Sequence, residues 1–124
     1  MRIGCDIIEI SRIRRFIEQH SDQLIGRVFT QDEWSYCKKQ ANPYPSFAVR
    51  FAAKEAVSKA FGVGIGEHLN WISVEIINNL AGAPEVILDT KGQQLLKKFS
   101  AKTVHISLSH SRDNALAVAI IESN

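Results

Sequence analysis

One long helix with a face of small side chains is the feature that most limits how this chain can fold. Pro43 and Pro45 precede residues 47–61 and Gly62 follows them, and these residue types are typical of helix boundaries. On a helical wheel five small residues fall on one side, which predicts close packing against another element. They are Val49, Ala52, Ala53, Ala56 and Ala60. We expect this central helix to begin after Ser46, which can act as its N-cap.

The residues before the central helix predict one strand and two helices. Residues 3–10 form a mostly apolar run that suits a largely buried strand with Asp6 in or beside the core. Ser11 can cap a helix that runs to about residue 20 and leaves Arg12, Arg14 and Arg15 largely outward. The capping-box sequence at 30–33 opens a helix to about residue 40, which the prolines should end.

The second half of the chain predicts two hairpins separated by a helix. Residues 71–78 alternate apolar and polar side chains, and residues 84–88 should pair with them across a turn that contains Gly82. Residues 90–100 favour a helix, and residues 104–109 and 115–121 favour a second hairpin. The resulting fold class is α+β, with residues 1–124 as a single domain.

Composition and charge exclude several broad classes of protein. Hydrophobic residues make up 45% of the chain and charged residues 23%, and no apolar run approaches the roughly 20 residues that cross a bilayer. The net charge of +2 is too small to indicate nucleic-acid binding. Cys5 and Cys37 match neither a zinc site nor a disulfide framework. With no secretory signal at its start, the chain is expected in the cytoplasm.

The side of the central helix opposite the small residues carries most of the candidate chemistry. Arg50, Lys54, Glu55, Ser58 and Lys59 lie there, with phenylalanines 47, 51 and 61 among them. Charges between aromatic rings are partly desolvated, so an anionic or metal-bound ligand could satisfy several of them together. The alternative is that Glu55 and Lys59 form only an i,i+4 pair of the helix surface.

Asp6 and Glu55 are the candidate metal ligands. Magnesium typically takes one or two carboxylates and completes its octahedron with water and substrate phosphate. An isolated aspartate in a strand could equally bond a neighbouring amide or cap a helix, and spacing in the sequence does not decide between these roles.

Three segments together resemble the holo-[acyl-carrier-protein] synthases. They are IGCDIIEISRI at 3–13, RFAAKEAVSKAFG at 50–62 and VHISLSHS at 104–111, and their order and spacing agree with that family. The residues Gly64-Ile65-Gly66 and Gly82-Ala83-Pro84 also resemble family positions. The similarity extends over nearly the whole chain.

The resemblance implies a fold, an activity and a set of site residues. The fold is that of the 4'-phosphopantetheinyl transferases, an antiparallel sheet packed with a long central helix, in a homotrimer with active sites between subunits. The activity is magnesium-dependent transfer of phosphopantetheine from coenzyme A to acyl carrier protein, in support of fatty acid biosynthesis. The implied roles are metal binding by Asp6 and Glu55, catalysis by Glu55 and Lys59, coenzyme A binding by Arg50, Lys54, Gly62 and His110, and carrier-protein binding by Arg12 and Arg14.

Two other functions compete with this interpretation. A metal-dependent nucleotide hydrolase could use the same acids, and it would release phosphate without any carrier protein. An RNA-binding module could use Arg12, Arg14 and Arg15, and its binding would fall steeply with salt. The near-balanced net charge argues against the second.

Overall fold

The computed structural model describes residues 1–123, which form two antiparallel sheets and five α-helices around one hydrophobic core. The first sheet has the strand order β1-β5-β4, and the second pairs β2 with β3. In chain order the elements are β1 (Arg2–Glu9), α1 (Ile10–Gln19), α2 (Asp22–Ile25), α3 (Gln31–Lys38), α4 (Pro43–Phe61), a 3-10 helix (Trp71–Ser73), β2 (Val74–Asn78), β3 (Pro84–Leu88), α5 (Thr90–Lys98), β4 (Ala101–His110) and β5 (Asn114–Ser123).

Helix α4 packs its small-residue face on the three-stranded sheet, as the sequence predicts. Ala115, Ala117 and Ala119 of β5 are fully buried beneath it. Gly4 of β1 lies so close that an added Cβ would be 2.2 Å from the Ala56 carbonyl oxygen and 2.6 Å from the Ala60 nitrogen. Small side chains on both surfaces therefore let the backbone of β1 touch the backbone of α4.

The start of α4 differs from the expectation that Ser46 caps it. The helix begins at Pro43, and the Asn42 side chain accepts a hydrogen bond from the Tyr44 N–H. Pro43 and Pro45 lie inside the first turn, where the missing N–H of proline is not needed by the helix. The preceding helix, α3, ends at Lys38, before either proline. Its capping box at Thr30 and Glu33 is present as predicted.

The first strand and helix also correct two details. Helix α1 begins at Ile10 with no side-chain cap, so Ser11 is not its N-cap. Strand β1 is buried on alternate residues only, because Ile3 is 69% exposed and Ile7 is 64% exposed. Leu116, the cross-strand partner of Ile7, is 41% exposed. One face of the sheet thus carries apolar side chains that are exposed to solvent, whereas the other face packs on α4.

The second half of the fold confirms both hairpins and shortens two elements. Residues 71–73 form the 3-10 helix instead of the start of a strand. Strand β2 therefore begins at Val74, and Val74 pairs with Leu88 of β3. Helix α5 ends at Lys98, and Asp89 is its N-cap through a hydrogen bond from the Gly92 N–H. Strands β4 and β5 pair from Ala101 to His110. In residues 1–123 no helix is long and apolar enough to span a bilayer.

A buried ion pair joins α3, α4, the 3-10 helix and β2 at the core. The Lys54 ammonium on α4 lies 2.8 Å from Glu33 Oε1 on α3, and neither side chain is exposed. Lys54 also donates to the carbonyls of Trp71 and Val74, while Glu33 Oε2 accepts from the Ile76 N–H. Burial lowers the pKa of Lys54, and the charge of Glu33 opposes this shift. Each charge therefore has its partners inside the protein.

Candidate active site

Strand β1 and helix α4 bring Asp6 and Lys59 into contact. The Lys59 ammonium lies 3.1 Å from Asp6 Oδ1 and also donates to the Cys5 carbonyl at 3.1 Å. Asp6 follows Gly4 by two residues, so both face α4. The Asp6 side chain is 17% exposed and that of Lys59 is 54% exposed, which leaves the pair open to solvent on one side. The hydrogen bond to Asp6 is the main cause of a raised Lys59 pKa.

Glu55 lies one turn before Lys59 on the same helix and is half-buried. Its carboxyl pKa is raised, first by burial and second by the negative charge of Asp6, while Lys59 acts in the opposite direction. Repulsion from Asp6 means that the two carboxylates are near each other. A cation between them would relieve both the burial and the repulsion.

The donor set fits magnesium better than a metal held by protein ligands alone. Within residues 1–123 no cluster of three or more His, Cys, Asp or Glu side chains could hold an ion. Two neighbouring carboxylates, Asp6 and Glu55, are the usual protein share of a magnesium site whose other ligands are water and phosphate. The chemistry of the two oxygen donors is therefore compatible with that ion.

The end of α4 is fixed by an arginine that the sequence interpretation did not assign. Arg2 donates to the Ala60 and Phe61 carbonyls at 2.8 and 3.1 Å, and its guanidinium carbon is 4.2 Å from the Phe99 ring centroid. A cation at a helix C-terminus is favourable. Gly62 follows with a φ of 75°, a left-handed conformation that suits glycine. The helix therefore ends at Phe61, two residues after Lys59.

Lys54 does not fit its expected role at coenzyme A. Its side chain has no exposed surface, and its ammonium is bonded to Glu33 and two backbone carbonyls. A ligand could reach this group only if the core opened. The sequence placed Lys54 on the ligand side of the helix, whereas α3 and β2 cover this residue and supply its partners.

Arg50 is 3% exposed and occupies a different part of α4. Its guanidinium lies 4.4 Å from the Tyr36 ring centroid and donates to Asn78 Oδ1 at 2.6 Å. Asn78 in turn donates to the Gly82 carbonyl in the β2–β3 turn. Arg50 Nε is buried, and no group in residues 1–123 forms a hydrogen bond with it. Arg50 therefore differs from Lys54, whose ammonium is bonded to Glu33 and to two backbone carbonyls.

His110 lies on the same sheet face as Asp6 but not beside it. Leu108, which precedes it by two residues, and Asp6 share the partner Ala117 on β5. One strand separates β1 from β4, so the two side chains are about 10 Å apart or more. The structure therefore brings Asp6, Glu55 and Lys59 together within one chain, and leaves Arg50 and His110 elsewhere.

Arg12 and Arg14 are both exposed on α1. Arg14 pairs with Glu18 at 2.8 Å, and its guanidinium carbon is 5.3 Å from the Tyr44 ring centroid. It also lines a cleft of about 580 Å³ together with Arg112 of the β4–β5 turn. The same cleft also carries the carboxylates of Glu9, at the end of β1, and Asp113.

The model of the 4'-phosphopantetheinyl transferase superfamily matches residues 2–120. The chain belongs to this superfamily. Among curated superfamily proteins it is similar to the holo-[acyl-carrier-protein] synthase of Chlamydia caviae, with 49% identity over 118 residues that cover 95% of this chain and 93% of the relative. It is also similar to that of Moorella thermoacetica, with 44% identity over 124 residues that cover 100% of this chain and 95% of the relative.

Solved structures of superfamily proteins confirm the fold class. Helicobacter pylori holo-[acyl-carrier-protein] synthase in complex with coenzyme A matches with a TM-score of 0.85 and 31% identity, over 97% of this chain and 99% of that one. The Bacillus anthracis synthase in complex with CoA (3',5'-ADP) matches with a TM-score of 0.80 and 36% identity, over 99% and 96%. The predicted 4'-phosphopantetheinyl transferase fold is thus correct.

Proposed function

We propose that this chain transfers the 4'-phosphopantetheine group of coenzyme A to a serine of apo-acyl carrier protein and releases adenosine 3',5'-bisphosphate. The observation that carries the proposal is the contact of β1 with α4, which groups Asp6, Glu55 and Lys59 at a partly open surface. Relatives over the whole chain are holo-[acyl-carrier-protein] synthases. The single core supports one domain over residues 1–124, and the product would serve fatty acid biosynthesis.

The proposed mechanism assigns binding and proton transfer to three side chains. Asp6 and Glu55 would hold a magnesium ion, which would supply positive charge for the pyrophosphate oxygens of coenzyme A. Lys59 offsets the charge that develops on the phosphoryl oxygens when the carrier serine attacks phosphorus. Glu55 accepts the serine proton directly or through water.

Replacement of Glu55 by glutamine is expected to reduce magnesium-dependent turnover by about 100-fold or more, because a metal ligand and a proton acceptor are lost together. The fold should remain, since the side chain is only half-buried. Intact mass of apo-acyl carrier protein after incubation with coenzyme A and magnesium measures the transfer, and circular dichroism measures the fold.

The matched control is Glu67→Gln, which makes the same chemical change at an exposed carboxylate in the loop after α4. This variant should retain wild-type turnover, and a chelator should abolish turnover in both active proteins. Full activity in a folded Glu55→Gln variant would exclude the assigned role of Glu55.

We propose that a homotrimer completes the site. Within one chain Arg50 and His110 lie away from Asp6, and assembly of neighbouring chains would place groups from two subunits around one coenzyme A molecule. The sheet face with Ile3, Ile7 and Leu116 is exposed and apolar, as an unpartnered interface would be. Gly62, Arg50 and His110 would then contact coenzyme A from neighbouring chains.

Cysteine labelling tests the proposed interface. Cys5 lies between Ile3 and Ile7 on the exposed face, while Cys37 is fully buried and burial raises its pKa to about 11. In a native trimer we expect neither thiol to react with a maleimide at neutral pH. An Ile7→Glu variant should be monomeric by light scattering and should expose Cys5 alone.

The control Ile87→Glu introduces the same charge at another exposed apolar position, on β3, and should leave the assembly intact. A native trimer with a rapidly labelled Cys5 would place the interface on another face.

Two free thiols also suit a reducing compartment, in line with action in the cytoplasm.

We propose that Arg12 and Arg14 bind the acidic surface of the carrier protein. Arg12→Glu should raise the KM for apo-acyl carrier protein by about tenfold, because like charges replace complementary ones. The KM for coenzyme A should not change. The difference between variant and wild type in the KM for apo-acyl carrier protein should become smaller as the salt concentration increases. Lys97→Glu on α5 is the control for an exposed charge reversal. An equal rise of both KM values would contradict a specific role in carrier binding.

A further inference from the structure

A cavity of about 620 Å³ opens between α2, α3 and the 3-10 helix. Its lining residues come from the segments 22–34, 72 and 89, and none comes from β1 or α4. The cavity is therefore separate from Asp6, Glu55 and Lys59. Its volume lies within the range of roughly 300–1,000 Å³ that small-molecule sites occupy.

Four of the side chains that line this cavity are large and apolar or aromatic, namely Ile25, Phe29, Trp34 and Ile72, and packing behind them holds the aromatic part rigidly. Ile25 and Phe29 are almost fully buried at its base, and Ile72 is 42% exposed at its side. Trp34 packs on Phe47 with ring centroids 5.2 Å apart, and Phe29 packs on the same ring at 5.0 Å. The ion pair of Glu33 with Lys54 fixes α3 against α4 directly behind these rings. The aromatic wall is thus preformed before any ligand binds.

The charged groups of the cavity are all of one sign. Asp22 and Asp89 are exposed lining residues, and no lysine, arginine or histidine from residues 1–123 lines the cavity with them. Asp89 uses Oδ1 to cap α5, which leaves its second oxygen for another partner. The Trp34 ring already has the Lys38 ammonium 5.4 Å from its centroid. An indole ring has two electron-rich faces that attract cations, and Lys38 lies over one of them.

We propose that this cavity binds a small organic cation, a protonated amine that carries an aromatic or branched aliphatic group. The apolar part of the ligand packs on Phe29, Trp34 and Ile72, and the ammonium lies toward Asp22 and Asp89. Carboxylates at the opening repel phosphates, so coenzyme A and nucleotides do not compete for this cavity. The site is independent of the proposed transfer reaction.

Four matched probes test the ligand chemistry at constant ionic strength and neutral pH. They are 2-phenylethylamine, phenylacetate with the same ring and a negative charge, 2-phenylethanol without charge, and methylamine without the ring. The readout is the indole N–H resonance of Trp34 in the full-length ¹⁵N-labelled protein, assigned with a Trp71→Phe variant. We expect saturable shifts with 2-phenylethylamine and an affinity at least tenfold higher than those of the other three probes.

A double variant, Asp22→Asn with Asp89→Asn, tests the source of the charge preference. Asparagine keeps the helix cap at position 89, so the cavity should retain its shape. The affinity for 2-phenylethylamine should fall at least fivefold, whereas that for 2-phenylethanol should not change, and phosphopantetheine transfer should match the wild type. Absence of a saturable Trp34 shift, or equal affinity of amine and alcohol, would overturn the proposal. So would an unchanged amine affinity in the double variant.

Discussion

Replacement of Glu33 by glutamine is expected to lower the free energy of unfolding by about 3–5 kcal/mol, because it leaves the buried Lys54 ammonium without a negative partner. Both side chains are fully buried, and Glu33 also accepts from the backbone of Ile76. Urea denaturation at pH 7 measures the loss. Glu18→Gln removes the charge of an exposed pair with Arg14 and should cost less than about 1 kcal/mol.

The pH dependence of the stability of Glu33→Gln identifies the cause of the stability loss. The folded-state pKa of Lys54 is already lowered by burial, and loss of the Glu33 charge lowers it further. An unfolded chain then binds more protons than the folded one, so stability rises with pH. The loss of unfolding free energy in Glu33→Gln, relative to the wild type, should therefore become smaller as the pH increases toward the pKa of lysine in the unfolded chain. A deficit that is constant with pH would point to lost packing instead of an unpaired charge.

Replacement of Gly4 by alanine is expected to destabilise the fold by about 3 kcal/mol and to reduce transfer by about 100-fold in the protein that still folds. The new Cβ would meet backbone atoms of Ala56 and Ala60 at 2.2 and 2.6 Å, so β1 must move away from α4. Asp6 moves with β1, while Glu55 and Lys59 stay on the helix. Thermal unfolding measures the first effect, and turnover under stabilising conditions measures the second.

Gly64→Ala is the matched control, because a Cβ there has no heavy atom within 4 Å and the residue has no positive φ. It should change neither stability nor turnover appreciably. If Gly4→Ala behaved in the same way, the close contact of β1 with α4 would not be what positions Asp6.

The order and type of most elements could be predicted from the sequence, because they depend on local patterns. The capping box at Thr30, the small-residue face of α4 and both hairpins are confirmed. Boundaries were less certain because competing caps exist close together. Ser46 and Asn42 can both cap a helix, and the structure shows that Asn42 does so.

For the site residues too, the sequence predicted the residue types, and only the tertiary structure showed which of them are in contact. The residue types and their order identified Asp6, Glu55 and Lys59, but only the contact of Gly4 with α4 shows that these groups meet. The signal for Glu33 was its position in the capping box, which indicated a local role and not a long-range bond to Lys54. Arg2 had no signal, since its partners lie about 58 residues away in the chain.

The sequence by itself thus determined the family, the α+β class and the candidate residues for a cation and phosphate site, because these depend on residue types in a fixed order. Tertiary structure decided which charges remain available to a ligand. Lys54 forms an ion pair with Glu33 inside the core, whereas Lys59, about one and a half turns further along α4, reaches the surface beside Asp6. Burial and pairing depend on which elements cover each face of α4, and a helical pattern alone carries no information about its neighbours.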